Sequence, residues 1–120
     1  EHPDIQVEVQ AGDYTLMPSY LHTLDYLAEH SAPDAIMGFN QLITLGALRA
    51  LRMHNIAHDS LTICGIDRLP FADIFGVPIA CVAHDASLAG SSAVRLLLDR
   101  LEDPHKPRDK VVIAGQLENG

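Results

Sequence analysis

Three short, almost unbroken apolar runs most constrain what this chain can fold into. They span residues 34–39, 61–66 and 78–83, and turn signals or polar residues bound each of them. Runs of this length are typical of strands that are covered on both faces in a parallel sheet. Segments with helical spacing lie before, between and after them, so the sequence predicts an α/β fold.

The apolar residues outside these runs recur mainly at helical spacing. Their pattern predicts helices over residues 18–30, 41–54 and 85–102, and at most a short helical turn over 71–75. Asn40 is a residue type that caps helix starts, and either Asp85 or Ser87 would cap the third helix. Gly46 lies on the second helix, where its missing side chain predicts close packing on a sheet.

Two further segments have the pattern of strands. Ile5 to Val9 alternates apolar and polar residues, as an edge strand does, and Lys110 to Ala114 predicts a final strand. The resulting order is β-α-β-α-β-β-α-β. This order predicts a mostly parallel sheet with helices on both faces and right-handed crossovers.

Composition narrows the class of protein further. The 120 residues, 48% of them apolar, suffice for one hydrophobic core, and no window approaches the roughly 20 apolar residues of a membrane span. The 8 basic and 16 acidic residues give a net charge of −8, which opposes binding to nucleic acid or anionic membranes. Cys64 and Cys81 lie in apolar runs, which favours reduced thiols and a cytoplasmic protein.

Polar residues follow the three apolar runs at the point where each strand ends. Asn40, Asp67 and His84 stand at these junctions. The carboxyl ends of parallel strands meet at one edge of a sheet, where ligands bind in open α/β folds. Amide and carboxylate groups there suit a polyol or sugar-like ligand. The alternative is that Asn40 and Asp85 are only helix caps and that Asp67 only forms a turn.

No motif of catalysis or metal binding appears in the chain. The seven histidines form no His-Glu-x-x-His or helical i, i+4 pair, and His54 and His58 flank a helix end where their geometry is not fixed. No nucleophile elbow or phosphate loop is present. We therefore expect no cofactor, no metal and no enzymatic activity, with a flavodoxin-like enzyme as the least favoured alternative.

Several segments carry a resemblance to a known family. They are Gly12–Thr15, Pro33–Ile36, Asn40, Leu45–Leu51, Ile63–Asp67, Leu69–Ala72, Pro78–Gly90 and Ala93–Leu101. In order and spacing this series resembles the effector-binding domain of LacI/GalR-type bacterial transcriptional regulators. The resemblance covers nearly the whole chain and implies a class I periplasmic-binding-protein-like fold.

The resemblance also implies which part of such a regulator this chain represents. The family's helix-turn-helix headpiece, hinge helix and first half of the effector domain have no counterpart here, so we expect the C-terminal portion of an effector-binding domain. Residues 1–82 would form most of one subdomain, and residues 84–114 a crossover, helix and strand of the other. Operator DNA would be bound only through the absent headpiece.

Site residues follow from the resemblance position by position. The residues implied to bind the ligand are Tyr14, Asn40, Asp67 and His84. Gln41 and Arg68 depart from the family pattern, in which acidic residues follow the asparagine and the aspartate. These departures leave the identity of the effector open.

The family's dimer contacts map onto an apolar set in this chain. The residues implied are Leu45, Phe71, Ile74 and Phe75. The alternative for Phe71 and Phe75 is burial inside the monomer.

The expected function is that of a sensing domain in a homodimeric transcription regulator, with a sugar or related metabolite as its effector. The alternative is a periplasmic sugar-binding receptor of a transporter, which shares the fold but works as a monomer. No membrane partner is expected in either case.

Overall fold

A computed structural model describes residue 2, residues 4–56 and residues 61–119 of the chain. Four strands form one mixed sheet whose order across the sheet follows the chain. The strands are β1 (Ala35–Gly38), β2 (Thr62–Ile66), β3 (Ile79–Ala83) and β4 (Gln116–Glu118). β1, β2 and β3 are mutually parallel, and β4 is antiparallel to β3. The prediction of a mostly parallel α/β sheet is confirmed.

The two faces of the sheet differ in burial. Side chains alternate between faces along a strand, and one set, including Ile63, Ile79 and Cys81, is buried. The opposite set contains Met37 and Val82, which remain 52% and 42% exposed. In the described part of the chain, one face of the sheet is therefore buried and the other is open, whereas the apolar runs predicted cover on both faces.

Two helices pack together beside the buried face. They are α1 (Leu16–Glu29) and α2 (Gln41–Met53), and α2 also contacts β1 and β2. Leu48 and Leu51 of α2 join Ile63 and Ile79 of the sheet in the hydrophobic core. The periodicity placed both helices correctly to within two residues at their starts and ends.

Gly46 marks the point of closest approach between α1 and α2. A Cβ built there would lie 2.6 Å from the Leu16 carbonyl oxygen and 2.8 Å from Ser19 Cβ. Ser19 Oγ donates to the Ile43 carbonyl at 2.8 Å, which holds the two helices together. The prediction that Gly46 packs on the sheet is wrong, because its open side faces α1.

The third helix, α3 (Ala86–Glu102), begins where Asp85 Oδ1 accepts a hydrogen bond from the Leu88 amide at 2.8 Å. Only Ser92 of this helix is buried. Leu97 and Leu101 remain 58% and 68% exposed. A capped but largely uncovered helix therefore extends from the sheet, and the chain measures 57 × 31 × 29 Å.

Two predicted strands are absent from the sheet. Residues 5–9 are irregular, with Val7 and Val9 77% and 75% exposed, because no neighbouring strand pairs with them in the described residues. Residues 110–114 also lie outside any strand, and β4 begins two residues later. Gly115 stands just before β4, where a Cβ would lie 2.7 Å from Val82 Cγ1, so glycine lets the chain meet β3 closely at this point.

The short helical turn predicted over residues 71–75 is present as a 3₁₀ helix, Ala72–Phe75. Among the described residues, no helix is both long and apolar enough to cross a membrane.

Candidate functional site

The carboxyl ends of β1, β2 and β3 lie along one edge of the sheet. Gly38 pairs with Gly65 and Ile66 with Val82 across parallel neighbours, so the three strands end side by side. Asn40, Asp67 and His84 follow these strand ends. The predicted placement of the three junctions at a common edge is confirmed, and we call it the carboxyl edge.

Asn40 is the cap of α2. Its Oδ1 accepts from the Ile43 amide at 2.8 Å, and its Nδ2 donates to the Tyr14 carbonyl at 3.2 Å. Both polar atoms of the side-chain amide are thus engaged within the protein. The alternative interpretation of Asn40 as a helix cap is confirmed, and the second N–H of its amide group can still donate to a ligand.

Two glycines, Gly38 and Gly65, allow the start of α2 to pack closely against the strand ends. Thr44, which is 2% exposed, donates from Oγ1 to the Asn40 carbonyl at 3.0 Å. A Cβ on Gly38 would lie 2.2 Å from this Oγ1, and one on Gly65 would lie 3.1 Å from it. Larger residues at positions 38 or 65 would therefore displace the cap of α2 from the edge.

Asp67 turns the chain sharply at the end of β2. Its backbone is left-handed, with φ of 71°, a conformation that aspartate tolerates better than most residues. Its amide donates to the Val82 carbonyl at 3.0 Å. The alternative of Asp67 as a turn residue is confirmed for its backbone, while its carboxylate points to a different partner.

That partner is His84. Asp67 Oδ1 lies 3.0 Å from His84 Nδ1, and the two side chains are 32% and 50% exposed. An N–H at Nδ1 donates to the carboxylate in this arrangement. Because both groups reach solvent, a ligand hydroxyl can approach the carboxylate or the imidazole without first displacing buried structure.

Tyr14 joins the same edge through its backbone. Its carbonyl accepts the Asn40 amide hydrogen bond, and its ring is 75% exposed. Aromatic side chains beside a few polar groups are a common lining of small-molecule sites. The structure thus brings all four predicted ligand residues to the carboxyl edge, in two contacting pairs.

A further pair of residues lies beside Asp67. Arg68 Nε donates to Glu118 Oε2 at 2.8 Å, and Nη2 donates to Oε1, which gives a bidentate contact between the loop and β4. The hydrogen bond from Arg68 lowers the pKa of the Glu118 carboxyl. Sequence reasoning marked Arg68 as unusual but missed Glu118, because no local pattern links residues 50 positions apart.

No group of three potential metal ligands occurs among the residues that the structure describes. His54 ends α2 as its C-terminal cap, and His58 lies outside the described residues. Neither cysteine forms a disulfide, and burial raises the pKa of the Cys81 thiol.

An apolar patch lies next to the carboxyl edge, formed by the residues implied in dimer contacts. Phe71 and Ile74 are 73% and 70% exposed, whereas Leu45 and Phe75 are half-buried against the core. These four residues line one shallow depression together with Gln41 and Leu69. Burial inside the monomer is therefore wrong for Phe71 and correct in part for Phe75.

Comparison with known proteins gives a consistent result. The model of one protein family, described as a periplasmic binding protein-like domain, matches residues 2–120. The transcriptional repressor PurR of Aliivibrio salmonicida is 24% identical over 98 residues, which are 81% of this chain and 29% of PurR.

Solved structures show the same likeness. A LacI-family transcription repressor from Corynebacterium glutamicum superposes with a TM-score of 0.77 at 26% identity, over 89% of this chain and 42% of the other. A complex of the transcriptional regulator CelR with cellobiose also gives a TM-score of 0.77, at 25% identity, over 89% and 33% of the two chains. The chain thus spans less than half the length of each of these proteins.

Proposed function

Because this chain belongs to the periplasmic binding protein-like domain family, we propose that it is part of the small-molecule-sensing domain of a LacI-type transcription regulator. The similar proteins named above are transcriptional repressors and regulators, which favours this function over a transporter receptor. The observation that carries the proposal is the carboxyl edge, where Asp67 and His84 meet in a solvent-accessible pair.

The ligand class follows from the groups at the edge. A carboxylate accepts hydrogen bonds from neighbouring hydroxyls, an imidazole donates or accepts, and an exposed tyrosine ring offers an apolar face. Asp67, His84 and Tyr14 supply these three functions. Together with the cellobiose bound by CelR, they support a sugar or a related polyhydroxylated metabolite as the effector.

The division of the chain into subdomains is also part of the proposal. Residues 1–82 would belong to one subdomain and residues 84–114 to the other. The chain exposes 9083 Å², whereas a folded monomer of this length exposes about 6,300 Å². α3, which leaves the sheet after His84, buries only Ser92.

In the complete regulator, effector binding between the subdomains would shift the balance between two arrangements of a homodimer. The two arrangements would differ in their fit to operator DNA, which a separate headpiece would contact in the cytoplasm. The apolar patch supports the dimer, because the Phe71 side chain is exposed to solvent. The backbone of Phe71 is also left-handed, with φ of 59°. Holding a bulky residue in this conformation costs about 1–3 kcal/mol, which a role in association would explain.

Thermal-shift measurements on the complete regulator with a panel of mono- and disaccharides test the proposal. A ligand at 100 times its Kd stabilises the folded state by about 2.7 kcal/mol, and we expect one sugar to raise the Tm accordingly. Asp67→Asn and His84→Ala should abolish the response, because the first replaces a charged acceptor oxygen by an amide donor and the second removes the imidazole.

Two control variants complete the design. Asp99→Asn removes a charge on α3 whose partner is Lys106, and it should leave the sugar response intact. Asn40→Asp retains an acceptor for the Ile43 amide, but it replaces the amide donor by a charged carboxylate oxygen, so it tests that donor with the helix cap in place. A full response in both Asp67→Asn and His84→Ala would refute the assignment of the site.

A further inference from the structure

The loop after β2, residues 67–71, contacts both the segment by which the chain leaves the sheet for α3 and the strand by which it returns. Asp67 contacts His84, which stands on the outgoing connection between β3 and α3. The next residue, Arg68, forms the bidentate contact with Glu118 on β4, by which the chain returns. Two adjacent residues therefore bind the departing and the returning segments.

The backbone fixes this loop before its side chains act. The left-handed turn at Asp67 is anchored by the hydrogen bond from its amide to Val82 on β3. The Arg68 carbonyl accepts from Gln41 Nε2 at 2.9 Å, which ties the loop to the start of α2. The loop is thus connected to the packed part of the molecule from two sides.

α3 and the segment after it, residues 86–115, which we call the α3 unit, make few other contacts with the rest of the molecule. α3 buries a single residue, and the segment after it makes side-chain hydrogen bonds with α3 before the chain pairs with β3 as β4. Lys106 Nζ lies 2.9 Å from Asp99 Oδ2, and Arg100 Nη1 donates to the Pro104 carbonyl at 3.0 Å. Since α3 and this segment are held to each other, their direction relative to the sheet depends on the two connections.

We propose that Asp67 and Arg68 are positioning residues that hold both connections, and so set the direction in which α3 leaves the sheet. We call the pairs Asp67–His84 and Arg68–Glu118 the double clasp. Exposed ion pairs are individually weak, so the double clasp biases this direction and leaves it adjustable. The consequence that this direction orients one subdomain against the other rests on the proposed function.

The test is a distance measurement in the complete protein without any ligand. Genetically encoded spin labels replace Arg52 at the exposed end of α2 and Glu102 at the end of α3, so that native cysteines are not labelled. Glu118→Gln and Arg68→Gln should each broaden and shift the distribution of distances between the labels. The exchanged pair Arg68→Glu with Glu118→Arg should restore a narrow distribution.

Hydrogen exchange gives a second readout on the same variants. We expect the amides of Gln116–Glu118 to exchange about two- to fivefold faster in the single variants, in line with the strength of an exposed pair. The amides of Ala47–Leu51 in the core should not change. Arg95→Gln, which removes an exposed arginine of α3 that belongs to neither pair, is the matched control for Arg68→Gln and should leave the label distances unchanged.

An unchanged distance distribution in Glu118→Gln and Arg68→Gln would overturn the double clasp. If the exchanged pair Arg68→Glu with Glu118→Arg does not narrow the distribution, the double clasp is also overturned. The broadening would then reflect a general loss of structure and not the loss of one specific ion pair. All of these measurements omit sugars, so they remain valid if the thermal-shift panel finds no effector. Conversely, a sugar response can persist with the double clasp refuted.

Discussion

The sheet with α1 and α2 can be compared with α3 and the segment that follows it. Both regions are rich in leucine at helical spacing, but Leu48 and Leu51 of α2 are 2% and 0% exposed, whereas Leu97 and Leu101 of α3 are 58% and 68% exposed. The radius of gyration is 18.4 Å, against about 14 Å for a compact domain of this length. The apolar pattern of a helix thus predicts that one of its faces is buried, but it does not identify the element that buries that face.

The largest expected effect separates the two regions directly. Leu51→Ala should lower the free energy of unfolding by about 2–5 kcal/mol, because it opens a cavity in the core. Leu101→Ala in the same 120-residue chain should change it by less than about 0.5 kcal/mol. Urea denaturation measures both values.

The same two leucine variants in the complete regulator test whether a second subdomain buries α3. If a second subdomain covers α3 there, the cost of Leu101→Ala should rise toward that of Leu51→Ala. A cost that stays small in the longer protein would contradict the proposed cover of α3.

Two glycines in helices give the next comparison. Gly46→Ala places a Cβ 2.6 Å from a carbonyl oxygen of α1, so it should destabilise the protein by about 1–3 kcal/mol. Gly90→Ala lies within α3, where a Cβ meets nothing within 4 Å, and it should stabilise the helix by about 0.5–1 kcal/mol. Circular dichroism during thermal unfolding reports both signs, and a Gly46→Ala variant as stable as the parent would show that α1 and α2 do not approach so closely.

The smallest expected effect is a local response to acid. Hydrogen bonds from Arg68 and Lys106 lower the pKa of Glu118 and of Asp99 below their ordinary values of 4.5 and 3.8. A carboxyl with a lowered pKa in the folded state contributes its stabilisation above the ordinary value and loses it as the pH falls through the lowered one. Each pair should therefore weaken only below these values.

Nuclear magnetic resonance can follow the two carboxyl groups separately. Acid should release β4 from the loop when Glu118 is protonated, and should release the segment after α3 when Asp99 is protonated. Glu118→Gln should remove the first transition and leave the second in place. Loss of both transitions in that variant would show that the two regions are coupled.

Much of the candidate site was predictable from sequence because its parts are local. A polar residue directly after an apolar run stands at a strand end in any parallel sheet, so Asn40, Asp67 and His84 could be placed at one edge without coordinates. The capping role of Asn40 was also predictable as an alternative. The contacts of Arg68 with Glu118 and of Asp67 with His84 were not, because they join residues far apart in the chain.

The errors in strand prediction have the same origin. Residues 5–9 have the alternation of a strand and remain irregular, while Gln116–Glu118 forms β4 with a weaker pattern. A strand exists only where a neighbour accepts its backbone hydrogen bonds. β3 supplies that neighbour for β4, and Gly115 allows the close approach.

The sequence by itself determined the elements with strong periodicity, namely three helices and three parallel strands, together with the polar junctions between them. These follow from the spacing of apolar side chains and from capping, which act over a few residues. Only the tertiary structure decided which face of the sheet is buried, that Gly46 meets α1, and that one loop holds both connections to α3. Those outcomes depend on which distant surfaces pack together, and the pattern of one segment does not identify the segment that packs against it.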